Sequence, residues 1–304
     1  MEPKRRSFIK TLAALGISWP FQSFNFKIED MIKRKIPSSG EQIPCVGLGT
    51  WQAFDVGDDA QMRAQLTEVL KAFVDSGASV IDSSPMYGSS EKVVGDLSSA
   101  MGISDNLFGA TKVWTTGKAS GISQMERSMD LMKKRPMDLM QIHNLQDWDT
   151  HMKTLLDWKE QGKVRYFGIT HYQDGAFPRL ERIMRQHPID FVQFNYSIAG
   201  RTAEKSILPV AQERGIATLI NRPYDGGSLF RKTTGKEIPA WAKEIGINSW
   251  GQFFLKYILA HPGVTCAIPG TGKPHHLIDN LTAGMGRLPD ESERKKMIEV
   301  ISGL

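Results

Sequence analysis

From residue 36 onward the chain alternates between two patterns of apolar residues. Short apolar segments rich in β-branched and aromatic residues are typical of buried strands. Each is followed by a longer segment with apolar residues at three- and four-residue spacing, which is typical of a helix packed on one face. The predicted strands cover residues 45–49, 79–82, 107–111, 138–142, 166–169, 191–194, 217–220 and 265–268.

The helical segments between these strands carry the expected end signals. Gly77, Gly162 and Gly215 directly follow helices, as C-cap glycines do. Near the C-terminus, Asp290 and Glu293 have the spacing of a capping box at the start of a last helix. The other predicted helices cover residues 61–76, 91–101, 123–134, 150–161, 177–186, 204–214 and 249–260.

Eight alternating strands and helices predict an α/β fold, a (β/α)8 TIM barrel, as a single domain over residues 36–304. An open doubly wound sheet is the alternative. That fold usually has a Gly-x-Gly-x-x-Gly turn after its first strand, and the segment from Gly47 to Gln52 lacks the third glycine. The residues from Asn221 to Pro239 form a long excursion outside the strand and helix pattern, of a length typical of lids and binding loops.

Four side chains suited to acid–base chemistry lie at the ends of successive strands. Asp82 ends the second strand and Tyr87 follows in the next loop, while Lys112 and His143 lie at the ends of the third and fourth strands. Parallel strands present their carboxyl ends on one face, where α/β proteins place their chemistry. A phenol titrates near pH ~10, so Tyr87 needs a neighbouring cation to act as an acid at neutral pH. We therefore expect the four side chains to form one site.

This order of Asp, Tyr, Lys and His resembles the catalytic tetrad of the aldo-keto reductase superfamily. The likeness extends from about residue 43 to residue 289. Besides the Asp82–Gly88 segment, it includes Gly-Leu-Gly-Thr-Trp at 47–51, Gly-Lys-Val-Arg-Tyr-Phe-Gly-Ile at 162–169, Gln-Phe-Asn at 193–195 and Ile-Pro-Gly-Thr at 268–271.

The resemblance implies an oxidoreductase that reduces an aldehyde or ketone, or oxidises the alcohol, with NAD(P)H. Tyr87 is expected to be the general acid, and Lys112 to lower the pKa of its phenol. Asp82 is expected to position Lys112, and His143, as a neutral imidazole, to orient and polarise the carbonyl.

The resemblance also places two tryptophans at the substrate pocket. Trp51 and Trp114 match positions that line the substrate site in the family. The segment after Gly284 is short, which suggests an open site and leaves small aldehydes, ketones and sugars as candidate substrates.

A nicotinamide cofactor is expected, because the constellation contains no metal cluster or reactive cysteine and nothing else in it can supply a hydride. NADP is the expected form, with NAD as the alternative. In the family a Ser-Asn pair and a Gln hold the carboxamide; here Thr170-His171 replaces the pair and Gln193 is retained. Asn221, followed by Arg222, takes the place of an aromatic residue that commonly stacks on the nicotinamide.

Residues 268–280 resemble the phosphate-binding segment of the family. The usual lysine is replaced by Gly270 and the usual arginine by His276, and these two cations normally bind the 2′-phosphate. Lys273, His275 and His276 are candidate substitutes. The cofactor-binding positions carried over in this segment are Gly270, Thr271, His276 and Asn280.

The net charge of +5 is confined to the N-terminal residues. Residues 1–35 contain eight Lys and Arg and three Asp and Glu, so the rest of the chain is neutral and does not favour nucleic-acid binding. Lys4-Arg5-Arg6-Ser7-Phe8-Ile9-Lys10, followed by a short apolar segment, resembles a bacterial twin-arginine export signal. We expect recognition by the twin-arginine machinery and a periplasmic protein. The alternative is a cytoplasmic protein with a basic tail.

Two further questions stay open at the level of the sequence. Cys45 and Cys266 are either buried free thiols or a bridge between the first and last strands. Beside a monomeric reductase acting on a small carbonyl compound, the alternatives are a nicotinamide-binding sensor with little turnover and an exported barrel that has lost nucleotide binding.

Overall fold

A computed structural model describes residues 31–304, in which eight parallel strands form a barrel. Neighbouring strands pair in chain order, and bridges from Val46 to Ala267 and from Gly49 to Gly270 join the last strand to the first. This closure confirms the predicted (β/α)8 TIM barrel. The barrel strands are β3 (Leu48–Gly49), β4 (Val80–Asp82), β5 (Phe108–Val113), β6 (Met137–His143), β7 (Val164–His171), β8 (Phe191–Asn195), β9 (Ala217–Asn221) and β10 (Cys266–Ala267).

Helices surround the barrel, and none in the described part of the chain is long and apolar enough to cross a membrane. The barrel-covering helices are α1 (Ala60–Asp75), α2 (Ser90–Ala100), α3 (Lys118–Met132), α4 (Trp148–Glu160), α5 (Phe177–Gln186), α6 (Ile207–Arg214), α9 (Trp250–Leu259) and α10 (Pro274–Thr282). The additional helices are α7 (Ser228–Lys232), α8 (Ala240–Glu244) and α11 (Glu291–Ser302), and α11 begins with the predicted capping box.

The inward-facing positions of each strand change from apolar to polar along the strand. In β6, for example, Leu139 lies in the apolar cluster inside the barrel, and Gln141 and His143 follow on the same face. Met140 and Ile142 point the other way, into the larger cluster between strands and helices. The barrel interior is therefore apolar at the amino ends of the strands and polar at their carboxyl ends.

A hairpin that the sequence pattern did not predict covers the apolar end of the barrel. Strand β1 (Lys33–Lys35) pairs antiparallel with β2 (Gln42–Pro44), and Ile36 and Ile43 join the interior cluster. All three residues of β1 are charged and β2 is Gln-Ile-Pro, so neither segment carried a strand signal. The expected N-terminal extension over residues 1–35 thus overlaps this hairpin, while residues 1–30, including the arginine pair, lie outside the described residues.

Two predicted helices have wrong boundaries. Helix α3 starts at Lys118, five residues early, because Gly117, with a positive φ, ends the preceding loop. Residues 204–214 do not form one helix, since Ser206 interrupts it and α6 starts at Ile207. The excursion after β9, predicted to lie outside the core strands and helices, contains the short additional helix α7.

Both cysteines are buried free thiols. Cys45 packs in the outer cluster between barrel and helices, whereas Cys266 points into the barrel interior. Burial raises the pKa of Cys45 to about 11, so its thiol stays protonated at neutral pH. The alternative of a bridge between them is wrong, because the two side chains lie on opposite faces of the barrel wall.

We expect Gly95→Ala to destabilise the protein by about 3 kcal/mol, the upper range for overpacking. Helix α2 approaches α3 so closely at Gly95 that a Cβ there would overlap the Leu131 carbonyl. Denaturant unfolding measures the change. The matched control, Ser99→Ala on the exposed face of α2, should change the free energy of unfolding by less than about 0.5 kcal/mol. Equal stability of the two variants would contradict this close packing.

Candidate active site

The structure brings Asp82, Tyr87, Lys112 and His143 together at the carboxyl end of the barrel. Lys112, which is fully buried, donates from Nζ to Asp82 Oδ2 at 2.6 Å and to the Ser83 carbonyl at 2.6 Å. Its Nζ lies 5.0 Å from the centroid of the Tyr87 ring. An ammonium has three N–H donors, so one remains for the Tyr87 hydroxyl.

Burial and charge act in opposite directions on this pair. Burial lowers the pKa of Lys112, but attraction to Asp82 and to the ionised form of Tyr87 outweighs it, and the net pKa is raised. Lys112 is therefore charged at neutral pH. Burial raises the pKa of Tyr87, and the charge of Lys112 opposes that increase. Lys112 thus acts to lower the pKa of Tyr87, as expected, although burial has the larger effect and the net pKa is raised.

His143 is a neutral imidazole in this environment. It is 6% exposed, and burial, followed by the charge of Lys112 and by His171, lowers its pKa to about 3. Its Nδ1 lies 3.1 Å from Ser84 Oγ. Its ring centroid is 6.1 Å from that of Tyr87 and 6.4 Å from that of Trp114. A neutral imidazole beside a phenol can hold a carbonyl oxygen without competing for the proton.

The remaining oxygen of the Asp82 carboxylate is bound by two glutamines. Oδ1 accepts from Gln141 Nε2 and from Gln193 Nε2, each at 2.9 Å. Gln141 was not among the residues selected from the sequence. Its signal was a polar residue at an inward position of β6, two residues before His143, where an apolar side chain was expected.

The chain is similar to known proteins over most of its length. A model of the Aldo/keto reductase family matches residues 45–296. The chain belongs to the aldo/keto reductase family. The resemblance inferred from the sequence, and with it the class of enzyme, is thereby confirmed.

Individual relatives of this aldo/keto reductase are distant. Methylglyoxal reductase YeaE of Escherichia coli is 27% identical over 263 residues, with 82% of this chain and 89% of that protein covered. Glyoxal reductase of Bacillus subtilis is 25% identical over 250 residues, with 80% and 83% covered. The crystal structure of an aldo-keto reductase from Klebsiella pneumoniae in complex with NADPH superposes with a TM-score of 0.75 at 24% identity, with 89% and 96% covered.

The residues expected at the nicotinamide lie at the ends of β7, β8 and β9. Thr170 and Gln193 are buried, and Thr170 Oγ1 donates to Gln193 Oε1 at 3.3 Å. Asn221 Nδ2 donates to the same oxygen at 3.4 Å. Both polar atoms of the Gln193 amide thus have partners inside the protein, whereas His171 is only half-buried.

The expected phosphate-binding segment lies around β10 and α10, beside the junction that closes the barrel. Gly270 bridges to Gly49, and a Cβ at position 270 would lie 3.2 Å from the Gly49 carbonyl oxygen. This tight packing disfavours a long side chain there. Thr271 and Asn280 are buried, and Asn280 Oδ1 accepts from the Tyr224 hydroxyl, while the exposed His276 contacts the His275 ring edge-on. Arg222, with a left-handed backbone, lies over the Tyr172 ring.

Three buried acceptors at the barrel mouth have no donor within residues 31–304. They are the Oδ1 atoms of Asn144, Asn195 and Asn221, which follow or end β6, β8 and β9. A buried carbonyl oxygen without a partner costs free energy. The carboxamide N–H₂ of a nicotinamide is a donor group that can satisfy such oxygens, so these residues fit the expected cofactor.

Trp51 and Trp114 are largely exposed beside this mouth, at 60% and 43%. The loop that carries Trp114 is nevertheless held firmly. Gln124 binds both the N–H and the carbonyl of Trp114, and His151 Nε2 lies 2.8 Å from the Thr115 carbonyl. Asp147 accepts from Gly117 N at 2.7 Å. Trp114 is therefore positioned on a rigid loop next to His143.

We expect the imidazole of His143 to stay neutral from about pH 5 to 8, since its pKa is lowered to about 3. Its ring resonances, assigned by comparison with His143→Gln, should not titrate over that range. The unfolded chain binds the proton near pH 6.5, so this group lowers stability as the pH falls from there toward 3. A titration midpoint above pH 6 would contradict the buried, cation-facing environment.

Proposed function

We propose that this chain reduces small aldehydes or ketones with NADPH and that Tyr87 is the general acid. The observation that carries the proposal is the buried ion pair of Lys112 and Asp82 directly beneath the Tyr87 ring. A buried charge pair is expensive to form, and here it serves the Tyr87 phenol, which faces the neutral His143. A sensor without turnover would need no such assembly around a proton donor.

The residues of this chain handle the proton and the orientation of the substrate. When bound, a nicotinamide supplies the hydride for the carbonyl carbon. Tyr87 donates its hydroxyl proton to the carbonyl oxygen, and Lys112 stabilises the phenolate that remains. Asp82 holds Lys112 in place. Ser84 donates its hydroxyl hydrogen to His143 Nδ1, which leaves the proton on Nε2, and Nε2 donates to the carbonyl oxygen to orient it.

The cofactor assignment rests on the asparagine oxygens without donors at the barrel mouth, among residues 31–304, and on the family. The two N–H donors of a bound carboxamide would be accepted by asparagine oxygens among those described above, and Thr170, His171 and Gln193 border the same place. The Klebsiella relative binds NADPH, and we extend this to the present chain. Lys273, His275 and His276 lie at the start of α10, where backbone N–H groups and positive charge favour a phosphate.

The substrate class follows from the open mouth and from the relatives. Trp51 and Trp114 are exposed and leave the tetrad accessible, and the related enzymes of Escherichia coli and Bacillus subtilis are named for methylglyoxal and glyoxal. We therefore propose small carbonyl compounds, with methylglyoxal as the first substrate to test.

Tyr87→Phe should lower kcat for methylglyoxal reduction by at least about 10³-fold, because the proton donor is used only in the transition state. The dissociation constant for NADPH, measured by fluorescence quenching, should stay within about twofold. Tyr166→Phe is the matched control, since it removes a phenol hydroxyl at the opposite end of the barrel. A kcat of Tyr87→Phe equal to that of the control would rule out the role given to Tyr87.

We also propose that the chain is exported through the twin-arginine route, a proposal supported by Arg5-Arg6 and the neutral remainder of the chain. Because that route carries folded proteins, the cofactor would be bound before export.

Residues 1–35 fused to a reporter active only outside the cytoplasm should give signal. Replacing both Arg5 and Arg6 by Lys should abolish it, because the receptor reads the guanidinium pair rather than charge alone. The Lys-Lys version keeps the net charge and is its own control. Full export of that version would indicate another route, and no export of the parent fusion would indicate a cytoplasmic enzyme.

A further inference from the structure

The catalytic ion pair lies within a hydrogen-bonded network that crosses the barrel. Lys112 uses only Oδ2 of the Asp82 carboxylate, at 2.6 Å. The other oxygen, Oδ1, accepts two amide N–H bonds at 2.9 Å, from Gln141 on β6 and from Gln193 on β8. The carboxylate is therefore held from three different strands, and its rotation would break a bond on either side.

The Gln141 side chain lies beneath the barrel mouth and is not exposed there. It is fully buried, and its Oε1 accepts from Gln193 Nε2 at 3.2 Å. Its neighbours at the same face of β6 are Leu139 in the apolar interior and His143 in the site. An apolar side chain would fill such an interior position without the cost of burying an amide. The amide is compensated only by its bonds to Asp82 and Gln193.

We propose that Gln141 is a positioning residue of the reductase, which orients the Asp82 carboxylate so that Lys112 stays directed at the Tyr87 hydroxyl. This rests on the proposed role of Tyr87 as general acid. Gln193 shares the bond to Oδ1, but its other amide atom is bound by Thr170 and Asn221 at the cofactor side. Gln141 is thus the donor to Asp82 that has no hydrogen bond to Thr170 or Asn221, and Gln193 is its only link to the expected cofactor residues among the described residues.

The charges around Tyr87 explain why this orientation matters. The titratable groups that face Tyr87 from the packed strands are Asp82 on β4, Lys112 on β5 and His143 on β6, and His143 is neutral. Burial raises the pKa of Tyr87, and the positive charge and hydrogen bond of Lys112 are what oppose it. Any loosening of Asp82 moves Lys112 and weakens that opposition.

The experiment compares Gln141→Leu, which removes the donor, with Gln141→Glu, which keeps the shape. In Gln141→Leu the ionisation of Tyr87 should shift upward by about one pH unit. It is followed as tyrosinate absorbance in the difference against Tyr87→Phe. The kcat for carbonyl reduction should fall about tenfold at neutral pH, and its alkaline limb should shift by the same amount. The NADPH dissociation constant should stay close to the parent value, because Gln193 loses its bond to Gln141 but keeps those to Asp82, Thr170 and Asn221.

Gln141→Glu should behave differently at the two ends of the pH range. At low pH the buried carboxyl is protonated and donates to Asp82 as the amide does, so the rate should approach that of the parent. As the pH rises, the carboxyl ionises beside Asp82, the bond becomes a repulsion, and the rate should fall well before the parent's alkaline limb. This pH-dependent rescue is not expected of a residue that only fills space.

An unshifted Tyr87 titration and an unshifted pH profile in Gln141→Leu would overturn the proposal, even if the rate were lower. A pH-independent rate ratio between Gln141→Glu and the parent would overturn it as well. If Gln141→Leu does not fold, the Gln141→Glu comparison decides alone. A shifted titration in a protein without carbonyl reductase activity would support the positioning role while refuting the proposed reaction.

Discussion

The arrangement of this site depends on keeping one ion pair charged inside a protein. Asp82 and Lys112 have side-chain exposures of 4% and 0%, and removing both from water is costly unless every remaining donor and acceptor is bound. Two glutamine amides and the Ser83 carbonyl provide those bonds. The partners come from strands far apart in the chain, so the pair can exist only when the barrel is closed. Chemistry and barrel closure are therefore linked energetically.

The two ends of the barrel differ in the side chains that line them. At the amino ends of the strands, the β1–β2 hairpin covers an apolar interior, and Glu41 on the hairpin binds Arg165 and the Tyr166 hydroxyl. Arg165 also pairs with Asp138 at 2.6 Å. At the carboxyl ends the inward residues are polar, and the Oδ1 atoms of three asparagines have no donor within residues 31–304. The closed end is thus packed and ion-paired, and the open end carries polar groups that a ligand can bind.

The loop that follows β6 at the barrel mouth has a strained backbone. Asn144, Leu145 and Asp147, directly after His143, have positive φ angles of 52°, 55° and 46°, a region that costs non-glycine residues about 1 kcal/mol or more each. The same loop holds the Trp114 loop through Asp147 and Gln146. The strain is compensated by these bonds, and it keeps Trp114 beside His143. A small part of the folding free energy thus maintains the position of Trp114 next to His143.

Apolar periodicity predicted the barrel, and positions at strand ends predicted that Asp82, Tyr87, Lys112 and His143 lie together, because both signals are local properties of the chain. The hairpin was missed because Lys-Arg-Lys in β1 and Gln-Ile-Pro in β2 show no strand pattern. They are ordered by the barrel end that they cover, which exists only after folding. Gln141 was missed for a related reason. On its own strand it is one polar residue in an apolar segment, and its partners Asp82 and Gln193 lie on β4 and β8. Likewise, only the alternation of the two faces in the closed barrel separated Cys45 from Cys266. Which side chains share the interior is decided by closure, since it brings distant strands around one axis.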